Sequence, residues 1–258
     1  MNGAPEEFEK LRLCFRGTER VVYRFGAGPA VVLLQEIPNQ TPQYFELAKK
    51  IAAAGFELWC PNLFGKAGAN FSKRSSAKAL LRFCISREFR VFSENGRSPI
   101  MDWVSDLCEY AGKGGNVGLI GMCFTGNFAL TMLAEPWMRA PVLVQPSLPY
   151  GISPALRRAL YVDSETLKSA PIDRKVLALR FTNDPVCPAS RFKALKEQLG
   201  SRLQTIEIDS SLGNPHRIPP FAHSVLTIHA VFDGQHPTHK ALNQVIEFLS
   251  DSLITPAH

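Results

Sequence analysis

Short apolar runs alternate with helix-length segments from residue 30 to near the C-terminus, and this alternation restricts the possible folds more than any other feature. Ala30-Val-Val-Leu-Leu-Gln35 is a compact apolar stretch of the kind found in parallel strands buried on both faces. Thr41 can cap a following helix, Pro42 suits its first position, and Gly55 ends it. Phe56 to Cys60 reads as the next strand, stopped by Pro61. Pro99 opens a helix through Ala111, with Met101, Val104, Leu107 and Cys108 on one face, and Gly112, Gly114 and Gly115 break it. Val117 to Ile120 is strand-like and Asn127 to Leu133 helix-like; Val142 to Val144 and Val176 to Leu179 are further short strands. Ala189 to Leu199 is a helix ended by Gly200, and Thr205 to Ile208 is a strand. A last amphipathic helix starts near Thr238 and gathers Ala241, Leu242, Val245, Ile246 and Leu249 on one face. Such alternation implies an α/β fold, a mostly parallel central sheet with helices on both faces. Sites in such sheets form beyond the carboxyl ends of the strands.

The totals narrow the rest. A chain of 258 residues with 45% apolar and 20% charged residues can bury a core without disulfides or metals, and residues 1–258 read as one domain. No apolar run approaches the roughly 20 residues needed to span a bilayer. The opening Pro5, Glu6, Glu7 and Glu9 have the wrong chemistry for a secretion signal, so a cytoplasmic protein with no membrane partner is expected. Six cysteines, at 14, 60, 84, 108, 123 and 187, show no CxxC pair and no regular spacing. That argues against a zinc site or a disulfide framework, and no metal or cofactor is expected. Most of the six read as buried, inert residues.

The net charge of +6 is concentrated. Lys66, Lys73, Arg74, Lys78, Arg82, Arg87, Arg90 and Arg97 face only Glu88 and Glu94 between positions 66 and 97. No nucleic-acid-reading motif accompanies them, so no nucleic-acid partner is expected. The segment reads first as solvated surface, and alternatively as a positive rim that draws an anionic substrate.

The chemistry points to Val117-Gly-Leu-Ile-Gly121-Met-Cys123-Phe-Thr-Gly126, which runs from strand to helix. A residue at such a turn is presented at the top of the sheet, and small neighbours let the backbone fold sharply. Gly121 stands two residues before Cys123 and Gly126 gives room after it. A cysteine here also lies at a helix N-terminus, where partial positive charge favours thiolate.

With Val31-Val-Leu-Leu-Gln-Glu36-Ile37, Asn183-Asp184-Pro185 and His223-Ser-Val-Leu-Thr227, this turn makes the chain resemble the dienelactone hydrolase family (carboxymethylenebutenolidases and relatives). The motifs span most of the chain. The resemblance implies the α/β-hydrolase fold with a cysteine nucleophile, acting on a small-molecule ester or lactone. Thr125 departs from the usual pattern, which has glycine there.

A cysteine nucleophile needs a base and a third group to orient that base, in the order nucleophile, acid, base in such folds. Asp184 follows a strand in a turn closed by Pro185; capping the helix near Ala189 is its alternative role. All six histidines, at 216, 223, 229, 236, 239 and 258, follow Asp184. His223 matches the family's histidine position, His216 is its main competitor, and His229, His236 and His239 read as surface residues. The oxyanion needs donors, for which the backbone N–H groups of Phe124 and Ile37 are the candidates, since Pro38 has none. The resemblance further implies that Glu36 contacts and primes the thiol when substrate binds. Family members acting on dienelactone bind its carboxylate with arginines, one of them four residues past the catalytic histidine; here that residue is Thr227. Arg87 offers a substitute carboxylate clamp, or equally a structural ion pair. The expected protein is a monomer or homodimer that hydrolyses an ester or lactone through Cys123, His223 and Asp184. A non-catalytic scaffold of the same fold, suggested by Thr125 and Thr227, is the alternative. A thiol redox protein pairing Cys123 with Cys187 is a third reading.

Overall fold

A computed structural model describes residues 3–72, 98–149 and 151–254, and within them eight strands form one sheet. The strands are β1 (Glu9–Phe15), β2 (Thr18–Gly26), β3 (Ala30–Leu33), β4 (Glu57–Pro61), β5 (Val117–Met122), β6 (Met138–Val144), β7 (Val176–Phe181) and β8 (Leu203–Ile208). They lie in the order β1-β2-β4-β3-β5-β6-β7-β8. From β4 to β8 all neighbours run parallel, whereas β2 is antiparallel to both β1 and β4. The mostly parallel sheet is thus extended at one edge by a hairpin that the apolar pattern did not announce.

The apolar runs work as two-sided strands. Val31 and Leu33 enter one layer of the core while Val32 and Leu34 enter the other. On the first face pack α1 (Pro42–Ala53), through Tyr44, Phe45, Leu47, Ala48 and Ile51, and the last helix, Pro237–Leu253, through Ala241, Leu242, Val245, Phe248 and Leu249. On the second pack α2 (Pro99–Gly112), through Met101, Trp103, Val104, Leu107 and Cys108, and the helix Ala189–Leu199, through Phe192, Leu195 and Leu199. Each fully buried Leu, Val or Phe in these layers contributes about 1.5–3 kcal/mol, which holds helices on a sheet that could not shield itself. Local signals mark the helix ends as expected. Thr41 accepts the N–H of Tyr44 as a cap, and Pro42, Pro99 and Pro237 occupy first turns.

Chain order reverses at β3, which has β4 on one side and β5 on the other. A crevice opens beyond the carboxyl ends of strands at such a reversal. Glu36 and Ile37 follow β3 and Cys123 follows β5, so both sequence motifs converge there. No helix among the described residues is long and apolar enough to cross a membrane.

Candidate active site

Cys123 is the first residue after β5 and opens a single 3-10 turn, Cys123–Asn127. Its φ is +55°, a left-handed conformation that a side-chain-bearing residue adopts only under constraint. The constraint is visible on both sides. A Cβ on Gly121 would lie 2.2 Å from the Thr125 carbonyl oxygen, and one on Gly126 would lie 2.7 Å from Pro146 Cα. Thr125, where glycine was the expected residue, is buried and ties the turn. Its hydroxyl accepts the Met122 N–H at 3.0 Å and lies 3.0 Å from both the Gln35 and the Met122 carbonyls, either of which can take its one hydrogen. The turn is therefore closed by a hydroxyl as well as by the absence of side chains.

Asp184 and His223 meet as the sequence order predicts. His223 Nδ1 lies 2.6 Å from Asp184 Oδ2, and because a carboxylate only accepts, the imidazole N–H is the donor. Asp184 does not cap the helix that follows. Its Oδ1 takes the N–H groups of Val186 (2.8 Å) and Cys187 (3.1 Å), which fixes the carboxylate toward the imidazole. That turn is clamped by Arg180, which donates to the carbonyls of Cys187 and Thr182 and pairs with Glu207 at 2.7 Å.

The other ring nitrogen, Nε2, is buried without an aligned hydrogen bond, and the charge of Cys123 acts on the imidazole. Burial lowers the His223 pKa, but the charge of Cys123, the hydrogen bond to Asp184 and the bonding and charge of the pair together outweigh it. The net effect holds His223 well above its ordinary 6.5. The imidazole side chain is 18% exposed, Asp184 is fully enclosed and Cys123 is 5% exposed. The Ser147 hydroxyl lies 3.5 Å from the Cys123 sulfur, and the Ser147 N–H donates to the Cys123 carbonyl at 3.1 Å.

Glu36 is almost fully buried, not a solvated strand end. Its Oε1 accepts from the Thr227 hydroxyl, and its Oε2 from Ser224 Oγ (2.8 Å) and Gln145 Nε2 (3.2 Å). Among the described residues its hydrogen bonds go to these three and not to sulfur. Burial pushes Glu36 above its ordinary 4.5, against the lowering effects of Thr227, His223, Ser224 and Gln145. Ile37 is half-buried, one residue beyond Glu36, and Phe124 directly follows the thiol. Arg87, with the basic stretch from Lys73 to Arg97, lies outside the described residues.

Several participants carried no signal. Gln145 has φ +36°; its side chain donates to Glu36 and accepts the Val225 N–H at 3.2 Å. Arg191 is buried and donates to the carbonyls of Pro146 (3.0 Å) and Pro149 (2.7 Å), holding the segment that carries Ser147. His229 is not a surface residue. Its Nδ1 accepts the N–H groups of His223 (3.4 Å) and Ser224 (3.2 Å), and burial and the nearby His223 lower its pKa. His236, also half-buried, caps the last helix by accepting the Thr238 N–H. His216 is exposed, and its ring lies 5.3 Å from that of His236. Cys187 is enclosed, and burial pushes its thiol up. No group of three His, Cys, Asp or Glu side chains among the described residues could hold a metal ion.

Known proteins share this architecture. The sequence model described as the dienelactone hydrolase family matches residues 20–251. A carboxymethylenebutenolidase from Pseudomonas sp. (strain P51) is 27% identical over 112 residues, which is 43% of this chain and 46% of that protein. The matched region thus spans about half the length of this curated relative. Among solved structures, a provisionally assigned dienelactone hydrolase from Klebsiella pneumoniae subsp. pneumoniae MGH 78578 superposes with a TM-score of 0.64 at 14% identity, covering 94% of this chain and 98% of that one. A dienelactone hydrolase-like promiscuous phosphotriesterase from metagenomic libraries gives 0.60 at 16% identity, covering 95% and 98%. At such identities the superpositions show the α/β-hydrolase fold and nothing finer.

Proposed function

This chain belongs to the dienelactone hydrolase family, and from that membership we propose that it hydrolyses carboxylic esters or lactones with Cys123 as nucleophile. One observation supports the thiol assignment above the rest. An imidazole bonded at 2.6 Å to a buried carboxylate is raised in pKa by a cysteine that stands at positive φ where a strand ends.

In this reading the Cys123 thiol gives its proton to His223 and the sulfur attacks the substrate carbonyl carbon. A C–S bond forms as the carbonyl π pair moves onto oxygen. The N–H groups of Ile37 and Phe124 receive that oxyanion. The intermediate collapses, the bond to the leaving oxygen breaks, and the His223 imidazolium returns the proton to it. Water, deprotonated by His223, then attacks the thioester, and the sulfur leaves as the acid is released. Asp184 keeps the imidazole oriented and stabilises its charged form throughout. Arg87, from the basic segment, is the candidate contact for an anionic substrate.

The burst of 4-nitrophenolate released from 4-nitrophenyl acetate tests this. Cys123→Ala should abolish the burst while the unfolding midpoint stays close to that of the parent. A full burst in that variant rejects the nucleophile assignment.

A further inference from the structure

The family resemblance implies a Glu36 that reaches the thiol once substrate is bound, yet the carboxylate is engaged elsewhere. It is 3% exposed and takes three donors, the hydroxyls of Thr227 and Ser224 and the side-chain amide of Gln145. None of the three is a cation. Gln145 continues the chain of bonds, since its other amide atom accepts the N–H of Val225 at 3.2 Å. The carboxylate and this amide therefore hold residues 224, 225 and 227, all within four positions of His223. Glu36 is also the backbone neighbour of Ile37. The network thus spans the gap between the candidate oxyanion amide and the imidazole. Swinging the carboxylate to the sulfur would break three hydrogen bonds in a dry site and leave their donors buried without partners.

We propose that Glu36 is a positioning residue, a fixed tie between the end of β3 and the His223 loop, and not a second base for the thiol. The tie rests on the reading of Cys123 and His223 as the reacting pair. Its effect is to keep the Ile37 amide and the imidazole at one separation, so that a carbonyl attacked by sulfur finds its oxyanion donor already in register. Thr227 completes the tie at the position where the family's dienelactone enzymes carry an arginine.

Two measurements on the intact protein separate the possibilities. The acylation burst with 4-nitrophenyl acetate needs thiol, imidazole and oxyanion donors together, whereas iodoacetamide alkylation needs only the ionised thiol. Glu36→Ala should slow the burst about 100-fold, the scale expected when reacting groups lose register by an ångström, with KM nearly unchanged. Glu36→Gln should restore it to within roughly threefold of the parent, since its amide oxygen can take Ser224 and Gln145 while its NH2 donates to a rotated Thr227 hydroxyl. Thr227→Val keeps the shape and removes one bond; a loss of roughly tenfold is expected, so the tie stays testable if Glu36→Ala fails to fold. A burst lost in Glu36→Gln, whether or not alkylation of Cys123 slows with it, would mean that the carboxylate's charge and not the tie is required, and would overturn the proposal. Parent-like bursts in all three variants would overturn it as well. Failure of the underlying reading shows separately, as a burst that survives Cys123→Ala.

Discussion

At the scale of single residues, the pair Asp184–His223 sets the pH range in which the site can work. The Asp184 hydrogen bond and charge help raise His223 above 6.5 against the opposing effect of burial. Asp184→Asn removes that charge and the acceptor fixed by the N–H groups of Val186 and Cys187. His223 then titrates lower, and loss of the imidazolium proton, which the leaving group requires, begins at a more acid pH. The alkaline limb of the kcat profile should therefore move to lower pH in Asp184→Asn, and kcat at the optimum should fall about 10²–10⁴-fold. An unmoved limb would separate Asp184 from the imidazole. Cys123 and Asp184 were legible because each follows a strand in the required chain order, whereas His223, in the loop after β8, stood out among six histidines by its match to the family's position. Ser147, Gln145 and Ser224 were not, because a polar residue on an apolar background has no periodic signature and its partner is set only by long-range closure. His229 was misread for that reason: its acceptor role depends on the fold of the loop between His223 and itself.

At the scale of elements, the turn after β5 is held by a side chain that the motif alone marks as a departure. Thr125 accepts from Met122 and lies within donating distance of Gln35, so one hydroxyl joins the turn to the end of β3. Thr125→Val keeps the shape and leaves both backbone groups unsatisfied in a dry environment. It should lower stability by about 1–3 kcal/mol, read as a drop in the urea midpoint at unchanged m-value, and slow the acylation burst. An unchanged midpoint would mean that glycine spacing alone closes the turn. The parallel strands and their helices were legible because burial on both faces demands runs such as Val31-Val-Leu-Leu34. The hairpin of β1 and β2 was not, because charged residues at Glu9, Lys10, Arg12, Glu19, Arg20 and Arg24 interrupt both strands and leave no long apolar run. Arg12 pairs with Glu19 and Arg24 with Glu9 across it, each at 2.8 Å. Its turn did leave a signal in Arg16-Gly17, both at positive φ, the chemistry of a two-residue hairpin loop.

At the scale of the whole molecule, the buried carboxylate links the site to global stability. Burial holds Glu36 above 4.5, so the native chain retains a proton that the unfolded chain has released. Wherever the native state binds more protons, stability falls as pH rises. Glu36 therefore lowers stability progressively from pH 4.5 up to its raised native value. Other groups act nearby with their own signs. His229 and His236, lowered by burial and by neighbouring histidines, raise stability as pH climbs toward 6.5. His223, raised, adds a fall only above 6.5. Glu7, Asp163 and Asp209, lowered mainly by hydrogen bonds, act at and below their ordinary values of 4.5 and 3.8. All of these are shared by the parent and by Glu36→Gln, so the difference between the two isolates the carboxylate. Urea unfolding of both proteins at a series of pH values from 4.5 to 6.5 should show the glutamine variant gaining on the parent as pH rises. A difference that stays constant across that window would mean that Glu36 ionises in the fold as readily as in the unfolded chain, and that its three donors fully offset its burial.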